Sequence, residues 1–175
     1  MRLFQIKNTA NFMTALLSDK EKTFDQFLLS EAVIVTGITH TIDGHINPSF
    51  YSSDDLDILR QEASDNGRIF SEDLIRWESV KHYCYECIRG SRLPLTFKVS
   101  FSLAPENVRK FLEGLNGVIG ADDIGSLNVN IKYDGSTLTC TTAVSLKIFT
   151  MDKSVEHAWD DMFARFLDAH GFDCE

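Results

Sequence analysis

Alternation of apolar and polar residues predicts most of the strands of this chain. The clearest run is residues 94–103, where one face collects Leu95, Phe97, Val99, Phe101 and Leu103. Residues 127–133 alternate in the same way and lead through Asp134-Gly135 into residues 137–149, which predicts a hairpin. Further strands are predicted in residues 2–6, 24–29 and 32–42.

Apolar residues at helical spacing predict helices between these strands. Residues 9–18 form the first, and Pro105 opens another whose apolar stripe comprises Val108, Phe111, Leu112 and Leu115. A final helix is predicted for residues 153–170, ending before Gly171.

Two more helices are predicted as an insertion within residues 53–89. The first is capped by the Ser-Ser-Asp-Asp segment that starts at Ser52, and the second runs from about Glu72, capped by Ser71, to Arg89. A glycine-rich loop is predicted for residues 116–125.

The length and composition indicate one α+β domain. A chain of about 150 residues already buries roughly 70% of its unfolded surface, and this chain has 175 residues, 43% of them apolar. A linker rich in Pro, Gly or Ser does not interrupt the pattern. We therefore expect a single domain over residues 1–175.

The order of elements repeats in residues 2–47 and 94–149. In the first copy, Phe4 and Ile6 precede a helix containing Phe12 and Leu16; in the second, the equivalent residues are Phe101, Leu103, Phe111, Leu112 and Leu115. This pattern resembles one domain of the DNA polymerase sliding clamps. Residues 27–38 look like a hairpin of the sliding-clamp family.

The resemblance implies a duplicated β-α-β-β-β fold. Its halves would join edge to edge, with both repeat helices on the same side, and the inserted and C-terminal helices would be additions to it. The alternative is a helix-grip arrangement, in which one antiparallel sheet wraps the long C-terminal helix.

The net charge of −9 argues against strong nucleic-acid binding, because such affinity comes from Lys and Arg that neutralise phosphates. The charge is uneven, however, since residues 60–110 carry nine basic and seven acidic side chains. This excess is either ordinary solvated surface or a basic face for an acidic partner. The candidate partner-binding residues are Arg76, Lys81, Arg109 and Lys110.

The cysteines and the N-terminus indicate a cytoplasmic protein. An apolar stretch long enough for a signal peptide or a membrane span is missing from the sequence. Cys84, Cys87, Cys140 and Cys174 are therefore expected to be free thiols.

The pair Cys84 and Cys87 has a spacing that suits zinc binding or thiol exchange. On a helix, however, the two cysteines share a face with Trp77, Val80 and Ile88, which favours small core residues.

A second metal hypothesis rests on His40, Asp43 and His45. If Asp43-Gly44 is a two-residue hairpin turn, the two histidines lie diagonally on one sheet face, about 7 Å apart between Cα atoms. The alternative is an ordinary strand end with surface histidines.

Motifs for a nucleophile elbow, a phosphate loop or a dinucleotide site are missing from the sequence. We therefore expect no cofactor and favour a non-enzymatic binding or scaffold protein with a protein partner or self-association. The alternative is a metal-dependent enzyme or zinc-binding protein that uses the cysteine pair or the histidine group.

Overall fold

One antiparallel sheet organises the computed structural model, which describes residues 1–18, 20–115 and 120–175. In these residues it has six strands in the order β1-β6-β5-β4-β2-β3. The strands are β1 (Leu3–Ile6), β2 (Phe27–Val35), β3 (Thr39–Asp43), β4 (Thr96–Leu103), β5 (Ile124–Tyr133) and β6 (Leu138–Leu146). Each neighbouring pair is antiparallel.

The helices are α1 (Thr9–Leu17), α2 (Ser53–Asp65), α3 (Trp77–Ile88), α4 (Pro105–Glu113) and α5 (Ser154–Ala169). Two of them, α2 and α4, begin at the signals predicted from the sequence. Ser52 and Asp55 form a reciprocal capping box at the start of α2, and Pro105 occupies the first turn of α4. In the described part of the chain, none of the helices has the length and apolar character needed to cross a bilayer.

The two faces of the sheet differ in polarity. Along one row, Val99, Ile131 and Cys140 pair across strands and are buried. The next row on the other face contains the exposed side chains of Lys98 and Lys132. One face therefore packs against helices, as alternation in an antiparallel sheet dictates.

Helix α5 lies across the buried face of the sheet. The ring of Phe163 packs edge-on against Phe4 of β1, with centroids 5.5 Å apart, and Phe166 lies 6.0 Å from Phe27 of β2. The indole Nε1 of Trp159 donates to the carbonyl of Asn128 in β5 at 3.0 Å. One helix thus contacts strands from both halves of the chain.

This architecture confirms the α+β prediction. Each half of the chain supplies a strand, a helix and two further strands. Their pairing differs, because β4 pairs directly with β5, whereas β1 pairs with β6 at the far edge from β2. The two halves therefore share the order of their elements but not their strand pairing. The pairing expected for a duplicated β-α-β-β-β fold is not seen in the sheet.

The prediction of a hairpin at Asp43-Gly44 is wrong. The β2–β3 hairpin turns earlier, between Val35 and Thr39. The chain leaves the sheet after Gly44, whose amide still donates to the Ser30 carbonyl at 2.9 Å. There it pairs with residues 73–75: Ile46 donates to the Asp73 carbonyl at 2.8 Å and Ile75 to the Gly44 carbonyl at 2.9 Å.

That pairing also shortens the second inserted helix. Leu74 forms an isolated β-bridge with His45, and α3 begins at Trp77 instead of Glu72. The Ser71 hydroxyl accepts from the backbone of Leu74 in a local turn and does not cap α3. Residues 116–119 of the predicted glycine-rich loop lie outside the described residues, and Ala121–Asp123 form a short 3-10 turn.

Candidate functional site

An open groove of about 820 Å³ lies between α1 and the C-terminal end of α3. We call it the α1–α3 groove. Its lining is mainly apolar and includes Met13 and Leu17 from α1, Ile88 from α3, Leu93 from the segment before β4, and Phe97 from β4. Leu93 is 81% exposed at this site, although exposure of a leucine to water is unfavourable.

Two buried side chains of α3, Trp77 and Lys81, hold the walls of the groove together through hydrogen bonds. The Trp77 indole Nε1 donates to the carbonyl of Leu16 at 2.9 Å, which joins α3 to the end of α1. The Lys81 ammonium donates to the carbonyl of Glu21 at 2.8 Å and to Asp25 at 3.2 Å. The loop that follows α1 is therefore anchored to α3, the same helix that forms one wall of the groove.

The charged residues of the groove are both cationic. Lys20 and Arg89 line it, and its described lining contains no Asp or Glu. Arg89 Nε lies 2.7 Å from Glu86, but both side chains are more than half exposed, and such a surface ion pair contributes little. The described lining therefore carries two cations, one of which has Glu86 beside it, in a chain of net charge −9.

A smaller cavity of about 420 Å³ lies between α2 and residues 66–79. Its lining includes Arg68 and Glu78, which form an ion pair, and Arg76, whose guanidinium lies 2.8 Å from Glu106. Both arginines and Glu78 are therefore already paired, and these groups offer less to a ligand than the cations of the groove do.

The four predicted partner-binding residues divide into two kinds. Arg76 and Lys81 are internal, with side chains 13% and 5% exposed, and each pairs with a carboxylate. They fix neighbouring segments and do not present charge to a partner. Arg109 and Lys110 are exposed on α4.

Cys84 is a core residue of α3. Burial and, to a smaller degree, the neighbouring Cys87 raise the pKa of its thiol to about 12. Zinc binding and thiol exchange both need the thiolate, which this environment disfavours. Burial also raises the pKa of Cys140, and all four cysteines are free thiols.

Of the three residues in the second metal hypothesis, only Asp43 and His45 are in contact. Their Oδ1 and Nδ1 atoms lie 2.6 Å apart, and the backbone and side-chain hydrogen bonds from His45 lower the pKa of Asp43. His40 pairs with Ile34 in the sheet, and alternation places its side chain on the opposite face from that of Asp43.

The described residues contain no cluster of three or more His, Cys, Asp or Glu side chains that could hold a metal ion. Neither metal hypothesis therefore gains a third ligand there. Cys84 is buried and Cys87 is partly buried on α3. His40 and Asp43 belong to β3, and His45 lies in the segment after that strand.

A family model matches residues 16–175, which is nearly the whole chain. The chain belongs to DUF5721, a family of unknown function. The DUF5721 match includes Lys20, Arg89 and Leu93, but begins inside α1 and leaves out Ala10 and Met13. No curated protein and no solved structure matches the chain.

Sequence reasoning missed the α1–α3 groove. Its residues come from four separate segments. The sequence pattern of each segment alone does not indicate that it borders a groove. The one signal in the sequence is Leu93-Pro94-Leu95, where two leucines stand next to a proline just before a strand. Only the packing of α1 against α3 shows that Leu93 borders a concave surface.

Proposed function

We propose that the protein is a non-enzymatic binding protein whose ligand is a small, largely apolar molecule held in the α1–α3 groove. The observation that carries this proposal is the groove itself, with a volume of about 820 Å³ and an apolar lining. Small-molecule sites in proteins are concave, mostly apolar and roughly 300–1,000 Å³ in volume.

The groove is preformed, which favours binding. Trp77 and Lys81 tie α3 to the end of α1 and to the loop after it. A ligand therefore does not have to order the walls, and the entropic cost of association is smaller than for a mobile site.

The lining favours binding over catalysis. Its described residues include the hydroxyls of Ser18 and Ser136 but no His, Asp or Glu that could activate them as a general base. The polar groups at the groove, such as the hydroxyls of Thr9 and Tyr85, can orient a ligand by hydrogen bonding.

The contacts of α5 support the helix-grip alternative more than the sliding-clamp one. One sheet packs around this helix, which contacts β1 through Phe163 and β2 through Phe166. The order of elements is what supports the sliding-clamp hypothesis, and the unequal pairing of β1 and β4 argues against it.

A cytoplasmic location is part of the same proposal. It is supported by the free thiols, two of which, Cys87 and Cys174, are only partly buried. Partly exposed thiols of this kind persist in a reducing compartment.

Filling the groove tests the proposed function. Ala10 is exposed on α1 and lines the groove, so Ala10→Trp should place an indole in the ligand volume without disturbing the core. The matched control is Ala169→Trp, at the exposed end of α5. Titration of decanol, followed by amide chemical shifts, should move resonances of Met13, Leu17 and Ile88 in the wild type and the control.

Those shifts should be lost in Ala10→Trp. If wild-type protein shows no decanol-dependent shifts at the groove, or if Ala10→Trp binds as well as the control does, the groove is not the binding site and the proposal is wrong.

A further inference from the structure

The charge of the groove lining differs from that of the whole chain. The full sequence has 26 Asp and Glu against 17 Lys and Arg. Among the described lining residues, however, the charged ones are Lys20 and Arg89, and neither Asp nor Glu occurs. A purely apolar ligand has no use for two cations at its site, whereas a ligand with an acidic group does.

Both cations are attached to ordered backbone. Arg89 caps α3, and its amide donates to the Tyr85 carbonyl at 2.8 Å. Lys20 directly precedes Glu21, whose carbonyl accepts from the buried ammonium of Lys81. The backbone of Arg89 is therefore held within the last turn of α3, and that of Lys20 lies next to a residue that Lys81 holds.

The guanidinium of Arg89 retains donors for a ligand. Glu86 lies against Nε, so the two terminal nitrogens are the groups that can face the groove. A planar guanidinium matches the geometry of a carboxylate, and the bonds between them are charge-assisted. Lys20 adds a second positive charge with adaptable geometry.

We infer that the natural ligand of the α1–α3 groove is an acidic amphiphile, with an apolar body on Met13, Leu17 and Phe97 and a carboxylate at Lys20 and Arg89. This inference rests on the proposed function and specifies the ligand class. The polar end of the ligand remains near solvent, where both cations are located, and the apolar part covers the exposed surface of the groove.

The experiment compares decanoic acid with decanol at neutral pH, below the concentration at which either one aggregates. The two probes share an apolar chain, and only the acid is charged. The test protein carries Lys20→Gln and Arg89→Gln together. The control carries Lys147→Gln and Arg165→Gln, the same pair of residue types, which are exposed after β6 and on α5.

Wild-type protein should bind decanoate more tightly than decanol. The test variant should weaken decanoate binding by about five-fold, as expected for a partly exposed charge pair, and leave decanol binding unchanged. The control variant should bind both probes like the wild type. Raising the salt concentration should weaken binding of decanoate to wild-type protein, but not of decanol.

The possible failures are distinguishable. If decanol binds the groove and decanoate binds no better, with no effect of the test variant or of salt, the acidic-ligand inference is wrong while the proposed function stands. Equal losses in the test and control variants would mean that net charge, not the groove, sets the affinity, which also overturns the inference. If neither probe binds, both the inference and the proposed function fall.

Discussion

At the scale of single residues, the buried charge of Lys81 connects α3 to the loop after α1. Its side chain is 5% exposed, and that of its partner Asp25 is 12% exposed. Lys81→Met should lower the free energy of unfolding by about 3 kcal/mol, because Asp25 is then left as a buried charge without a counter-ion. Urea denaturation measures this loss.

The control for Lys81 is the double variant Lys81→Met with Asp25→Leu. Because it removes both charges, it should recover much of the stability lost in the single variant. An exposed pair gives the comparison: Arg89→Met, next to Glu86, should cost less than about 1 kcal/mol. A Lys81→Met protein as stable as the wild type would contradict the role assigned to this residue.

At the scale of elements, Gly44 controls how the segment after β3 packs against β2. A Cβ atom at this position would lie 1.9 Å from the carbonyl oxygen of Leu29, so a side chain cannot be accommodated without moving the backbone. Gly44→Ala should therefore destabilise the protein by about 3 kcal/mol. It should also weaken the pairing of residues 44–46 with 73–75, seen as faster amide exchange at Ile46 and Ile75.

Gly37, in the β2–β3 turn, is the matched control for Gly44. A Cβ atom there meets nothing within 4 Å, and Gly37→Ala should change stability by less than about 1 kcal/mol. Equal effects of the two substitutions would show that close approach at Gly44 is not what requires a glycine.

At the scale of the whole molecule, α5 holds the two halves of the chain on one core. Phe163 is fully buried, and its ring packs against Phe4 of β1 and against Trp159 and Phe166 of its own helix. Phe163→Ala should cost about 3–5 kcal/mol, from lost burial and the cavity left behind. Thermal or urea unfolding measures this directly.

Phe149 is the matched control for Phe163, because its ring is not packed in the core. It is 96% exposed in the loop after β6, so Phe149→Ala should change stability by no more than about 0.5 kcal/mol. The interpretation of α5 as the central packing helix fails if the two phenylalanine variants are equally stable.

The sequence alone determined the elements whose causes are local. Alternation in β4, the Asp134-Gly135 turn and the Ser52 cap of α2 all depend on residues close together in the chain, and the structure has each of them. The apolar face of α3 likewise predicted that Cys84 is a core residue. Such features are readable because dihedral preference, capping and periodicity act within a few residues.

Tertiary structure decided the features that depend on distant segments. The pairing of residues 44–46 with 73–75 overrode a good turn signal and the predicted start of α3, because backbone groups there bond to a remote segment. Lys81 and Arg76 appeared to be surface charges until their carboxylate partners were located. The groove has the same origin: its walls meet only because α1 packs on α3, a contact between residues some 60 positions apart, such as Leu16 and Trp77.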